Sequence, residues 1–341
     1  MTIQQEIETA PLNENIQKTL LISNQKLKSE LNPVCSISGG SDSDIYLDVI
    51  ERTKPNDLKI KYVFFDTGLE YQATHKHLTY LENKYNIKID RYKAITPIPT
   101  SCKKYGQPFF SKYVSDMIHR LQKHNFTFTD EPFETLLKKY PKCKSALRWW
   151  CNKYKNKKDG RKSKFGINNI KFLKEFMIEN PPDFMISSEC CHGAKKKTSY
   201  AYDKQNNPSI KLNGIRRAES GARATAYKNC FTPESKNSVA EYRPLFFWSD
   251  DDKKIYKDWY NISYSNCYEI YGLERTGCAG CPFGSKFESE LKIIKKYEPK
   301  LYSATQSIFG KSYEYTRKYR QFKQTLKNAN PNQLFLENTR I

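Results

Sequence analysis

The chain has 341 residues and a formal charge of +21, from 58 Lys and Arg against 37 Asp and Glu. That length carries about two domains, or one α/β domain with a large insertion, and can bury a sizeable core. No run approaches the ~18 uninterrupted apolar residues of a membrane span, and Met1-Thr2-Ile3-Gln4-Gln5-Glu6 lacks the basic-then-apolar pattern of a signal peptide. The expectation is a cytoplasmic protein with no membrane partner. The positive excess points to a polyanion, nucleic acid first and phosphorylated small molecules second, although a lysine-rich proteome produces the same excess. In a reducing compartment, 10 cysteines favour metal or cluster ligation over disulfides.

Taken in order, Met1 to about Pro11 reads as polar and frayed. Ile16, Leu20, Leu21, Leu27 and Leu31 predict an amphipathic helix over Asn13 to Leu31. Val34 to Ile37 is a short apolar strand that breaks into Ser38-Gly39-Gly40-Ser41-Asp42-Ser43, and a helix then runs to just before Pro55. A second strand, Ile60 to Phe65, delivers Asp66-Thr67-Gly68-Leu69-Glu70. Thr74 to Tyr85 predicts a helix and Ile87 to Tyr92 a third strand, so the alternation implies a doubly wound, mostly parallel sheet. From Pro97 to Pro182 the text is helical, basic and aromatic. Its run from Lys153 to Lys164, with Trp149, Trp150 and Tyr154 nearby, suits either stacking on nucleic-acid bases or a solvated loop. Strands are expected again at Phe184 to Ser187, Ile210 to Ile215 and Tyr242 to Trp248, then a helix from Asp250 to Trp259. The domain reading is an N-terminal helix (1–33), a nucleotide-binding core (34–96 and 183–250), a basic helical insertion (97–182) and a helical C-terminal region (251–341).

The Ser-Gly-Gly turn has the makings of a phosphate cradle. Two glycines let the backbone approach an anion, the following helix directs free N–H groups at it, and Ser38, Ser41 and Ser43 add hydroxyls. Asp42 suits a magnesium ion or a helix cap. Asp66, Thr67 and Gly68 lie beyond a strand's carboxyl end, where such sheets bind ligands. Arg216, Arg217 and Arg223 surround a Glu-Ser turn and could clamp a phosphate or sulfate through paired hydrogen bonds. Cys278-x-x-Cys281 together with adjacent Cys190-Cys191 suits a 4Fe-4S cluster, with zinc as the alternative and Cys143 or Cys151 as substitutes for one ligand. Cys35 reads as structural; Cys102, Cys230 and Cys267 read as free thiols.

Four stretches in this order carry a resemblance. Ser38 to Ser43, Phe65 to Glu70, Gly214 to Ser220 with Arg223, and Pro244 to Trp248 resemble the phosphoadenosine-phosphosulfate (PAPS) reductase family, part of the adenine nucleotide α-hydrolase, or PP-loop, superfamily. The four-cysteine set is similar to that of adenylylsulfate (APS) reductases. The resemblance implies an adenine nucleotide, ATP or adenylyl sulfate, held by the Ser-Gly-Gly turn and Asp66-Thr67-Gly68. Arg216, Arg217 and Arg223 would hold its phosphate or sulfate end. Two departures matter. Residues 282–341 contain no cysteine to attack a sulfate sulfur, and the turn is close to the complete form of ATP pyrophosphatases, except that Ser41 stands where these often have lysine. The combination is similar to PP-loop sulfurtransferases that thiolate nucleic acid with ATP, magnesium and sulfide carried on a cluster. Rival expectations are a sulfonucleotide reductase that uses a partner's thiol, and a non-catalytic adenine-nucleotide sensor. A sulfur-donor or thiol-reductant protein is the expected protein partner.

Overall fold

A computed structural model describes residues 2–154, 160, 165–219, 226–236 and 238–329. The chain divides into two units. The first comprises Met1–Pro97, Gly193–Ala279 and Lys292–Leu301, and the second comprises Ile98–His192, Gly280–Leu291 and Tyr302–Ile341. The 97–182 insertion and most of the C-terminal region, which the sequence suggested as separate, thus fall largely in one unit. Among the described residues no helix is long and apolar enough to cross a membrane.

The first unit is built on a six-stranded sheet: β1 (Val34–Ser36), β2 (Lys61–Asp66), β3 (Ile89–Lys93), β4 (Ile210–Leu212), β5 (Phe231–Thr232) and β6 (Ala240–Tyr242). Their spatial order is β3-β2-β1-β4-β6-β5. All neighbours pair in parallel except β5 with β6. Because the chain builds outward from β1 through β2 to β3 and then returns to the other side as β4, the winding reverses between β1 and β4. That crevice is where open α/β sheets bind ligands. The core-facing residues of β1 and of the following Ser41–Thr53 helix are apolar and fully buried, among them Cys35, Ile45, Leu47, Val49 and Ile50.

Several expectations are corrected here. The leading segment is not frayed: Ile3–Thr9 is helical, closed by a Thr2/Gln5 capping box, and Glu6 is buried and paired with Arg52 at 3.2 Å. The next helix spans Glu14–Leu27 with Asn13 as its N-cap, so Leu31 lies beyond its end and is exposed. Tyr242 to Trp248 is not a strand. β6 ends at Tyr242, and the apolar run continues as a turn that still buries Leu245, Phe246 and Trp248. An apolar run signals burial, and here burial came without strand pairing.

The second unit is helical, with Ile98–Tyr105, Lys112–Gln122, Phe133–Lys139, Lys144–Trp150 and Leu173–Glu179 as its main short helices. Phe184 to Ser187 is not a sheet strand; it makes one isolated bridge, Gln107 to Ile186. An aromatic core holds the unit together: Tyr315 packs on Phe109 and Phe176 with ring centroids 4.9 Å apart in each pair. Trp149 and Trp150 are fully buried in that core, and the Trp150 indole N–H donates to the Thr129 carbonyl at 2.8 Å. Neither indole is placed to stack on a base, which corrects that part of the nucleic-acid reading. Most of the basic run beside them, 155–159 and 161–164, lies outside the described residues.

Candidate functional site

The Ser-Gly-Gly turn leaves β1 at the point where the winding reverses. Ser38 N–H donates to Ser43 Oγ at 2.9 Å and Gly40 N–H to Ser38 Oγ at 3.3 Å, so serines at both ends close the turn. Gly39 has φ 63°, and a Cβ there would sit 3.0 Å from Thr74 Cγ2; the left-handed conformation and the tight fit both call for glycine. Gly40 is the N-cap of Ser41–Thr53 and offers no side-chain cap; the Ser41 N–H meets the Tyr268 hydroxyl, and the remaining first-turn N–H groups are the ones an anion could use. The β4 side also approaches closely: a Cβ on Gly214 would fall 2.7 Å from Tyr46 Cδ1 and 3.0 Å from the Asp42 carbonyl.

The charged groups are placed differently from expectation. Arg216 is buried. Its Nε donates to Asp42 Oδ1 at 3.0 Å, Nη2 to Asp250 Oδ1 at 2.7 Å, and Nη1 to the carbonyls of Trp248 and Ser249 at 3.3 and 3.1 Å. Burial opposes its charge, but Asp42 and Asp250 overcome that and raise its pKa further. With its guanidinium committed to these four oxygens, Arg216 ties the turn to the Asp250–Trp259 helix. Arg217 is exposed, and its guanidinium lies 5.6 Å from the centre of the Phe247 ring. Arg223 lies outside the described residues.

Asp42 meets a second cation, one that motif reasoning missed. Lys253 Nζ is 2.7 Å from Asp42 Oδ1 and 2.6 Å from Ser41 Oγ. The Asp42 carboxylate therefore sits between two cations in this structure.

At the end of β2, Gly68 N–H donates to Asp66 Oδ1 at 2.8 Å and the Thr67 hydroxyl to Glu70 Oε1 at 2.5 Å. Burial pushes the Glu70 carboxyl up against the opposing effect of the Thr67 hydrogen bonds. Cys278 belongs to the same unit, with its sulfur 3.8 Å from Thr67 Oγ1. The first unit thus brings one predicted ligand to the predicted nucleotide-binding acidic turn.

The other predicted thiols lie in the second unit. The Cys190 thiol is pushed well above the ordinary range, first by its hydrogen bond to Cys102, with burial and nearby Cys281 adding to the effect; its hydrogen bond with Cys191 acts the other way. Cys102, expected to be a free thiol and buried as one, thus neighbours Cys190. It lies on Ile98–Tyr105, which packs against the short Glu189–Cys191 helix. Crowded thiols have the donor chemistry of a soft-metal site, since a cation relieves the repulsion that opposes their deprotonation. Among the described residues, however, no group of three or more His, Cys, Asp or Glu is arranged to hold a metal ion. Cys143 and Cys151 belong to the aromatic core, where the Cys143 thiol donates to the Arg120 carbonyl at 3.5 Å. Cys35 is buried beside the Tyr46 hydroxyl at 3.1 Å.

The first unit is an α/β domain with a mostly parallel sheet and a Gly-Gly turn at its winding reversal. Residues 32–144, about a third of the chain, match the family model of the phosphoadenosine phosphosulfate reductase domain. An uncharacterized protein of Methanocaldococcus jannaschii is 25% identical over 298 residues, which cover 86% of this chain and 44% of that protein. The chain thus spans less than half the length of this curated relative. Among solved structures, a PAPS reductase from Candida auris in complex with phosphate has a TM-score of 0.41 and 15% identity, covering 81% of this chain and 93% of that one. The U34-tRNA thiolase NcsA of Methanococcus maripaludis, solved with its [4Fe-4S] cluster, has a TM-score of 0.37 and 13% identity, covering 89% and 79%.

Proposed function

We propose that the chain is an adenylating sulfurtransferase that uses ATP at the Ser38 to Ser43 turn. The observation that carries this reading is the turn itself, with two requirements of a phosphate site met together: a helix N-terminus whose N-cap Gly40 supplies no side chain and cationic side chains beside it. In the reaction, an oxygen of the substrate attacks the α-phosphate of ATP, the bond to the β-phosphate breaks, and pyrophosphate leaves. Sulfide then bonds to the atom bearing that oxygen, and AMP leaves with the oxygen; no electrons are transferred. Backbone N–H groups at the turn would stabilise the charge that develops as pyrophosphate departs. Magnesium, as the usual companion of a nucleoside triphosphate, enters with ATP.

A 4Fe-4S cluster fits the donor chemistry of Cys190 and Cys281 with Cys102 and Cys191, and when bound it would supply a place to hold sulfur. Cys278, three residues before Cys281, remains the further thiol of the Cys-x-x-Cys pair; zinc on the same thiols would be structural. The charge of +21 favours nucleic acid as the acceptor, with a sulfur-donor protein as supplier.

The family match favours a second reading, reduction of APS or PAPS with a partner's thiol. Incubation with ATP and magnesium, and separately with APS or PAPS and a thiol reductant, distinguishes the two. Pyrophosphate release from ATP is the expected result, and sulfite release without it would replace the first reading by the second.

A further inference from the structure

We propose that Lys253 is a phosphate-binding residue, contributing from the Asp250–Trp259 helix a charge that the Ser-Gly-Gly turn does not itself contain. This rests on the ATP reading above. Residues 38–43 include no Lys or Arg, while Asp42 lies in the first turn of the Ser41–Thr53 helix. By itself this segment would offer a triphosphate backbone donors next to a carboxylate, and the like charges would repel. Two cations offset Asp42, and they are not equivalent. Arg216 is held by two carboxylates and two carbonyls. Lys253 makes contact with the turn at Ser41 Oγ and Asp42 Oδ1. An ammonium has three donors on a rotatable tip, so these two oxygens leave it one donor; the centre of the Tyr264 ring lies 5.5 Å from it.

The lysine's position is set by its helix. Ser249 and Asp252 form a capping box, and the Ser249 hydroxyl accepts from Asp252 N–H at 3.1 Å. Asp252 also accepts from the side-chain amides of Asn13 at 2.8 Å and Asn15 at 3.2 Å. Asp250, in the same first turn, is tied to Arg216. The Lys253 side chain is 16% exposed, so its ammonium is partly shielded and its attraction for phosphate is less screened than at an open surface. When phosphates occupy the helix N-terminus, the ammonium can stay at Ser41 and share itself between Asp42 and a phosphate oxygen.

The test compares binding of ATP, inorganic pyrophosphate and adenosine to the full chain by calorimetry. Lys253→Gln is expected to weaken ATP and pyrophosphate by about tenfold to a hundredfold, as for one charge-assisted hydrogen bond, and to leave adenosine unchanged. Ser41→Lys added to Lys253→Gln is expected to recover most of the loss, because it returns the charge to the same spot from the turn. Lys253→Arg, which keeps the charge, is expected to retain more ATP affinity than Lys253→Gln. Unchanged ATP and pyrophosphate binding in Lys253→Gln would overturn the proposal. So would equal loss of ATP and adenosine, or failure of the double variant to recover, since either marks a merely structural lysine. A wild-type chain that binds neither ATP nor pyrophosphate would instead remove the ATP reading, and this proposal with it.

Discussion

The turn at the winding reversal and the thiols of the second unit are assembled on opposite principles. At the turn, Asp42 is matched by Arg216 and Lys253, and serine hydroxyls take up backbone N–H groups. In the second unit, like groups are packed together, and Cys102 and Cys281 hold Cys190 protonated. A charge-compensated turn is ordered before any ligand arrives, so it can recognise an anion at little cost in reorganisation. Crowded thiols reach their low-energy arrangement only when a cation joins them. The lesson is that one region is ordered by opposite charges, whereas the other gathers like groups, which on the proposed reading a metal would bring together.

The largest effect that sharpens this contrast is on metal content. With anaerobic purification, Cys190→Ala is expected to lose bound iron, read by elemental analysis and by the visible charge-transfer band, while ATP affinity is kept. Cys143→Ala, in the aromatic core, is expected to retain the metal. Equal iron loss in both variants would break the distinction between the thiol set and the other buried cysteines.

A second test addresses the support beneath the turn. Asp48 is buried in the Ser41–Thr53 helix, where it accepts from the Tyr85 and Tyr256 hydroxyls, each at 2.8 Å, and from Arg52 at 2.5 Å. Asp48→Ala leaves those donors without their acceptor and is expected to cost about 3–5 kcal/mol in urea unfolding. A loss below ~1 kcal/mol, no more than one ordinary hydrogen bond, would mean that the turn's order does not depend on this network.

The smallest effect concerns the cap that places Lys253. Burial pushes Asp252 up, but hydrogen bonds from Ser249, Asn13 and Asn15 outweigh it and hold the carboxyl below the usual aspartate range. A folded-state pKa below the unfolded one stabilises the protein above the unfolded value, and that stabilisation is lost as pH falls through the folded one. Asp252→Ala is therefore expected to lower stability by about 1 kcal/mol near neutral pH. The gap to wild type should narrow in acid, as followed by urea unfolding at several pH values. A gap that widens in acid would contradict the assigned direction.

How much of this was legible from the residues differs between the same two regions. The alternation from Val34 to Lys93 was readable because each strand is short, apolar and followed by a turn whose chemistry is local: Gly39 and Gly40 after β1, Gly68 after β2. The joining of Arg216 and Lys253 to Asp42 was not readable as an ion-paired network, because Lys253 is 212 residues from Ser41 and lysines on a charged helix carry no motif. The proximity of Cys102 to Cys190 was not readable for the same reason, since no spacing links the two. Trp149 and Trp150 misled because a tryptophan beside lysines reads alike whether it faces a base or a core; only packing decides. β5, two residues long, is too short for alternation to register.

The first two helices have a practical consequence. Asn13 and Asn15 hold Asp252, the Trp259 indole donates to the Thr9 carbonyl at 3.1 Å, and the Tyr260 hydroxyl donates to Glu6 at 3.2 Å. The Ile3–Thr9 helix and the start of Glu14–Leu27 thus act as a brace on the element that carries Lys253. Trimming that segment, or fusing bulk onto it, should be felt as altered triphosphate affinity even though it contributes no atom to the phosphate cradle.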